Sequence, residues 1–297
     1  MYTTLISASE LKTLLASPQA SRVFDCSFDL MKPEAGEAMY QEAHIPEAVY
    51  VHLDKALSAP KDPATGKARD HTAASGGRHP LPSREVFAAW LGSVGFDNAM
   101  QAVVYDRQGA NYCGRLWWML KWAGHENVAV LDGGLQAWQA AGGAVARGTE
   151  TPVSASNYVL ARALLALTAT ETIAKNRGHS VGSQAQTIVD ARGAPRFRGE
   201  VEPLDPVAGH IPGALNRPFT QNMTPEGTFK PADQLKAEFL ALLGNRDPAT
   251  VVHHCGSGVS AVPNIIAMEV AGLGRTALYA GSWSEWCNTP GLPVAQG

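Results

Sequence analysis

Cys255 stands at the end of a short apolar run, Thr250-Val251-Val252, in the string His253-His254-Cys255-Gly256-Ser257-Gly258-Val259-Ser260, and the residues 264–271 beyond it read as an apolar helix. A cysteine at a strand-to-helix turn is placed for nucleophilic chemistry. Two glycines let the backbone curl so that successive N–H groups point inward at the sulfur, and the helix behind turns its positive end to the same spot. Such a cradle favours the thiolate and equally holds the terminal sulfur of a persulfide. A buried cysteine is more often an inert small hydrophobe. The run from strand through Cys-Gly-x-Gly to helix is what sets Cys255 apart.

The neighbouring candidates carry less chemistry. His253 and His254 adjoin Cys255, but adjacent residues of a strand point to opposite faces and the spacing is not that of a zinc site, so no metal is expected. Cys26, Cys113 and Cys287 are widely spaced, form no Cys-x-x-Cys pair, and are too few to staple a chain of 297 residues; they are expected as thiols. Cys113 falls in or near a helix and reads as packing.

The elements that must position Cys255 come from a unit written twice. Ala43-His44-Ile45-Pro46-Glu47-Ala48 returns as Gly209-His210-Ile211-Pro212-Gly213-Ala214, Val23-Phe24-Asp25-Cys26 parallels Val189-Asp190-Ala191-Arg192, and 131–138 parallels 279–286. The echoes keep their order, which points to a duplicated domain. The halves are expected at 1–145 and 157–297, joined through the polar stretch 143–156. Within each, short apolar runs such as Thr187-Ile188-Val189 alternate with helical segments such as 231–243. The fold class is therefore α/β, each half a mostly parallel sheet flanked by helices, with its ligand site at the carboxyl ends of strands. The first half has Val103-Val104-Tyr105-Asp106 where the second has Val252-His253-His254-Cys255. The nucleophile position of the first half thus carries a carboxylate, and that half is expected to be inactive.

Composition sets the class of partner. Hydrophobic residues make up 45% and charged residues 17%, and the net charge is -3, so no overall basic field draws nucleic acid or an anionic membrane. The N-terminal residues lack a basic region followed by a long apolar one, and no apolar run reaches membrane-spanning length. A small-molecule partner and a cytoplasmic location are expected.

The quoted strings resemble the rhodanese family across nearly the whole chain. Cys255-Gly256-Ser257-Gly258-Val259-Ser260 is similar to the catalytic loop of 3-mercaptopyruvate sulfurtransferases, which typically reads Cys-Gly-Ser-Gly-Val-Thr. Asp190-Ala191-Arg192, Arg196-Phe197-Arg198-Gly199, Gly209 to Asn216 and Gly281 to Trp286 match in order. The resemblance implies tandem rhodanese-like domains and a sulfurtransferase that moves sulfur from 3-mercaptopyruvate through a Cys255 persulfide to cyanide, thioredoxin or a small thiol, with no organic cofactor. It implies a donor site of Arg196 with the loop residues Gly256, Gly258, Val259 and Ser260. It also implies a proton relay of Ser257, His79 and Asp54. The uncharged Gly256-Ser257-Gly258 favours mercaptopyruvate, since thiosulfate-preferring relatives carry basic residues there; thiosulfate sulfurtransfer is the alternative, and a non-catalytic sulfur carrier or regulatory module a further one. Related phosphatases use Cys-x5-Arg, and here that position is Ala261. A second family arginine expected in the Glu-Pro segment is replaced by Glu202-Pro203-Leu204-Asp205.

Overall fold

The computed structural model of the chain describes residues 1–62, 73–176 and 186–297. By packing they form two units: Met1–Ala59, Pro82–Leu164 and Thr224–Phe229 make the first, and Pro60–Leu81, Leu165–Met223 and Lys230–Gly297 the second. Two segments therefore pack away from the half of the sequence in which they lie. Phe229 donates its N–H to Asp132 Oδ1 at 2.8 Å, tying 224–229 to the first unit, and Arg78 donates its N–H to Ser284 Oγ at 2.9 Å, tying the end of Pro60–Leu81 to the second. The long connection from Asp54 to His79 lies in part outside the described residues.

In the first unit the order is β1 (Leu5–Ile6), α1 (Ala8–Leu15), β2 (Ser21–Asp25), α2 (Ala35–Glu42), β3 (Val49–Tyr50), α3 (Leu53–Ala56), α4 (Arg84–Ser93), β4 (Gln101–Tyr105), α5 (Cys113–Trp122), β5 (Val128–Leu131) and α6 (Gly134–Ala140). The strands lie in the order β1-β5-β4-β2-β3, each pair parallel. All five residues of β4 are buried. A continuous apolar run of this kind marks a strand covered on both faces. At the start of α1, Ser7 Oγ accepts the N–H of Glu10 while the Glu10 carboxylate accepts the N–H of Ser7 at 2.9 Å, a reciprocal cap that satisfies two orphan donors.

The second unit runs α7 (Thr170–Asn176), β6 (Thr187–Asp190), α8 (Ala194–Arg198), β7 (Leu215–Asn216), α9 (Ala232–Leu243), β8 (Val251–His254), α10 (Val262–Val270), β9 (Ala277–Leu278) and α11 (Ser282–Trp286). Its strands order as β7-β6-β8-β9, again all parallel. Ile188, Val252, Tyr279, Trp283 and Trp286 fill the core beside them. β8 runs through both histidines, as their reading as adjacent strand residues implies, with Asp190 paired to His254 at the end of the ladder. One difference from the sequence reading concerns the site. α10 begins at Val262, with Pro263 in its first turn, where an absent N–H leaves no bond unmade.

The repeat also settles in register. Asp25 ends β2 and Asp190 ends β6, so the true counterpart of Val23-Phe24-Asp25 is Ile188-Val189-Asp190, one residue from the alignment read in sequence. Sequence identity at that strand is too low to fix a single-residue register, whereas the pairing ladder is unambiguous. The echo at His44 and His210 has a structural role: each closes an antiparallel bridge, to Ala146 and Ala295 respectively, and tucks the segment that follows its domain against it. Among the described residues no helix is long and apolar enough to cross a membrane.

Candidate active site

Cys255 is the first residue after β8 and is 2% exposed. Its place is fixed from behind by the start of α11. The Cys255 N–H donates to Ser282 Oγ at 3.1 Å, while its carbonyl accepts from the N–H of Trp283 at 3.0 Å and the Gly256 carbonyl accepts from that of Ser284 at 2.9 Å. Ser282 sits at φ 56°, an unusual conformation for a side-chain-bearing residue, and its hydroxyl also donates to the Tyr279 carbonyl at 2.9 Å. Strain of this kind persists only where surrounding contacts over-determine it. Nothing in the sequence singled out Ser282, because its conformation follows from packing and not from its type.

The loop 255–261 has an internal twin. In the first unit the loop after β4 begins with Asp106 where the second has Cys255, bends through Gly109 at φ 65° where the second has Gly258 at φ 74°, and enters α5 at Cys113 where the second enters α10 at Val262. The Asp106 carboxylate accepts four backbone N–H groups, from Gln108 (2.9 Å), Ala110 (3.1 Å), Tyr112 (2.8 Å) and Cys113 (3.0 Å). The first loop is thus a nest for an anion, filled by its own side chain. The positions matching its first three donors are Ser257, Val259 and Ala261.

The twin points to the identification, because the order of strand, glycine-bent loop and helix occurs at the same place in both units. The description "Rhodanese-like domain" matches residues 7–141 and again 172–289. This chain belongs to the rhodanese family. A probable 3-mercaptopyruvate sulfurtransferase of Pseudomonas aeruginosa is 41% identical over 294 residues, covering 99% of this chain and 98% of the relative. A putative thiosulfate sulfurtransferase, SseB, of Mycobacterium tuberculosis is 39% identical and covers 99% and 97%. Among solved structures, SseA from Escherichia coli, described as a 3-mercaptopyruvate sulfotransferase, superposes with a TM-score of 0.76 at 28% identity, covering 96% of this chain and all of that one.

The rhodanese loop is surrounded by groups that the sequence placed unevenly. Ser257 and His79 meet: Oγ and Nδ1 are 2.7 Å apart, both side chains buried, across 178 residues of chain. Asp54 lies in the first unit, in the first turn of α3, where its N–H donates to His52 Nδ1 at 3.1 Å. Val259 is buried and Ser260 partly so. Arg196, on α8, forks onto Glu202 with Nε to Oε2 at 3.2 Å and Nη2 to Oε1 at 2.6 Å. Behind it Arg192 is held by Asp190 at 2.7 Å and lies over the Trp283 ring at 4.7 Å. Arg78, Asp205 and Glu202 were not read as site residues in the sequence; the Arg-His-Pro-Leu-Pro string drew the eye to its histidine. Arg78 pairs with Asp205 at 2.7 Å. Among the described residues no group of three His, Cys, Asp or Glu is placed to hold a metal ion.

The three other thiols are held by their burial. Burial, reinforced by the Asp25 and Asp106 carboxylates, pushes Cys26 and Cys113 well above the usual thiol range, and burial pushes Cys287 up to about 11. All three therefore stay protonated at neutral pH.

Gly258 is where the loop can be tested sterically. A Cβ built there would lie 2.3 Å from the Ala280 carbonyl oxygen and 2.7 Å from its Cα, against rigid backbone, in a conformation that already disfavours side chains. We expect Gly258→Ala to lose about 2 to 3 kcal/mol of stability and most of the activity, read by urea unfolding and sulfur transfer. Wild-type stability in that variant would mean that the loop has room that the close approach to Ala280 denies.

Proposed function

We propose that this rhodanese-family chain is a sulfurtransferase that takes sulfur from 3-mercaptopyruvate onto Cys255 and passes it to a thiol, thioredoxin or cyanide. The observation that carries the reading is the twin loop: the fold holds a carboxylate in four N–H bonds at Asp106, and at the matching position of the second unit it offers a cysteine. Names borne by the relatives over nearly their full length point to the same donor class.

In the first half-reaction the Cys255 thiolate attacks the donor sulfur. The S–S bond forms as the C–S bond breaks, and the electron pair stays on carbon as the enolate of pyruvate. One proton is needed to complete pyruvate, and the Ser257 hydroxyl, 2.7 Å from His79 Nδ1, is suited to deliver it and be resupplied from the imidazole. By the family resemblance alone Asp54 is assigned to the same relay. The loop N–H groups hold the outer sulfur of the persulfide, with Gly256, Gly258, Val259 and Ser260 shaping the loop. Arg196 offers the donor carboxylate a planar pair of N–H groups. In the second half-reaction the acceptor attacks the outer sulfur and the Cys255 thiolate leaves, so the kinetics are ping-pong. The work takes place in the cytoplasm, where thiol acceptors are abundant.

The test is the mass of the protein after incubation with 3-mercaptopyruvate. A gain of about 32 Da, located on Cys255 and removed by cyanide, is expected. No gain with this donor, and a gain with thiosulfate, would move the chain to thiosulfate sulfurtransfer, the second reading named by the Mycobacterium tuberculosis relative.

A further inference from the structure

The rhodanese resemblance leads one to expect a second arginine after Arg196, and this chain has Glu202-Pro203-Leu204-Asp205 in its place. A guanidinium nonetheless stands beside the loop. A Cβ built on Gly256 would lie 3.1 Å from Arg78 Nη2, 3.5 Å from Arg196 Nη1 and 3.7 Å from Arg196 Nη2, so the two guanidiniums converge on the residue after Cys255. They come from opposite directions in the chain, Arg196 from α8 and Arg78 from the end of Pro60–Leu81.

Three features suit the pair to a carboxylate. Asp205 already lies between them, with Oδ1 2.7 Å from Arg78 Nη1 and Oδ2 3.4 Å from Arg196 Nη2, so one carboxylate can be shared by both. Each guanidinium stays reachable beyond these pairs: the Arg78 and Arg196 side chains remain 23% and 20% exposed, open to an anion arriving from solvent. The backbone of Arg78 is anchored at both of its polar groups, the N–H by Ser284 Oγ at 2.9 Å and the carbonyl by Lys61 Nζ at 2.7 Å. An anchored guanidinium loses less freedom on binding than a surface one.

We propose that Arg78 is the second guanidinium of the donor site, closing with Arg196 over Gly256 on the carboxylate of an α-keto acid sulfur donor. The inference rests on the proposed sulfurtransfer from such a donor. Asp205 is then a placeholder: it holds both arginines apart from solvent anions and gives up part of its pairing when the donor carboxylate arrives. With Glu202 it also offsets both positive charges, which favours a monoanionic carboxylate over a dianion such as thiosulfate.

The experiment is steady-state kinetics with 3-mercaptopyruvate and with thiosulfate. Arg78→Ala is expected to raise the mercaptopyruvate KM by about ten- to a hundredfold with kcat changed less than about threefold, as loss of a charge-assisted bond made in the ground state predicts. Asp205→Asn is expected to move it the other way, lowering KM at least about twofold and gaining more for thiosulfate. A merely structural Arg78–Asp205 pair would make both variants worse in the same direction, and that result would overturn the proposal. So would an Arg78→Ala KM within twofold of wild type. Should that variant not fold, Arg78→Gln keeps the stem and removes the charge, and an unchanged KM there is equally decisive. A wild-type chain without mercaptopyruvate turnover sinks the functional reading itself, whereas an active wild type with an indifferent Arg78 sinks this inference alone.

Discussion

Cys255→Ser is expected to reduce sulfur transfer to less than about a hundredth of wild type with every donor, while the chain keeps wild-type stability to within about 1 kcal/mol. An alcohol is a far weaker nucleophile than a thiolate and cannot carry a persulfide. The exchange adds no bulk, and the bonds that hold this turn, from the Cys255 N–H to Ser282 Oγ and from the Trp283 N–H to the Cys255 carbonyl, are backbone bonds that serine retains. Cys26, Cys113 and Cys287 are each expected to tolerate Ser or Ala with activity largely kept, because burial leaves those thiols protonated. The check is transfer to cyanide in the four single variants, alongside urea unfolding. Substantial turnover in Cys255→Ser, or a dead Cys113→Ser, would show that the wrong loop of the repeat has been assigned the chemistry.

We expect the stability of the second unit to fall as the pH drops below 6.5, with the buried His253 as one cause. Its ring is fully buried on β8 with Nε2 3.2 Å from Met268 Sδ, and burial, aided by His254 and Arg217, depresses it to about 3. Above pH 6.5 the ring is neutral in both the folded and the unfolded chain and stability is full. As the pH drops below 6.5 the unfolded chain takes up a proton that the folded one refuses, so stability is lost progressively until the folded value is reached. Over that whole window the loss is roughly 4 kcal/mol, of which about 2 kcal/mol falls between pH 6.5 and 5. His254, also depressed by burial although Asp190 pulls it back up, adds to the loss. Asp205 and Glu285, raised by burial, take protons first in the folded state and offset part of the loss nearer pH 4. We expect His253→Leu to match wild type within about 1 kcal/mol at pH 8, since His253 Nδ1 has no partner among the described residues, and to be the more stable of the two at pH 5. Urea midpoints at the two pH values decide it. An unchanged difference between them in the variant would remove His253 as the cause.

Much of the site was legible in the sequence because its logic is local. The strand, the turn glycines and the helix around Cys255 are contiguous, so backbone curvature and helix direction follow from residue types alone. The α/β fold was legible for the same reason, through apolar runs and helical periods, and the duplication through echoes that keep their order. The single-residue register between β2 and β6 was not, since nothing in Val-Asp-Ala-Arg chooses between two alignments until the strands pair.

What the sequence by itself determined is the candidate nucleophile, Cys255, and the glycine-bent loop that carries it, together with the carboxylate that stands at the same position in the first unit. The tertiary structure decided which distant side chains stand around that loop. His79 meets Ser257 across 178 residues and the Arg78 backbone bonds to Ser284 across 206, while Ser282 takes a strained conformation to hold Cys255 from behind. The difference has a physical origin. A residue's conformational preference is written in its type and its neighbours, but the meeting of two charged or hydrogen-bonding groups depends on where the whole chain returns, and many surface arginines and histidines share the same local sequence character. Only packing brought Arg78 to the edge of Gly256, beside Arg196.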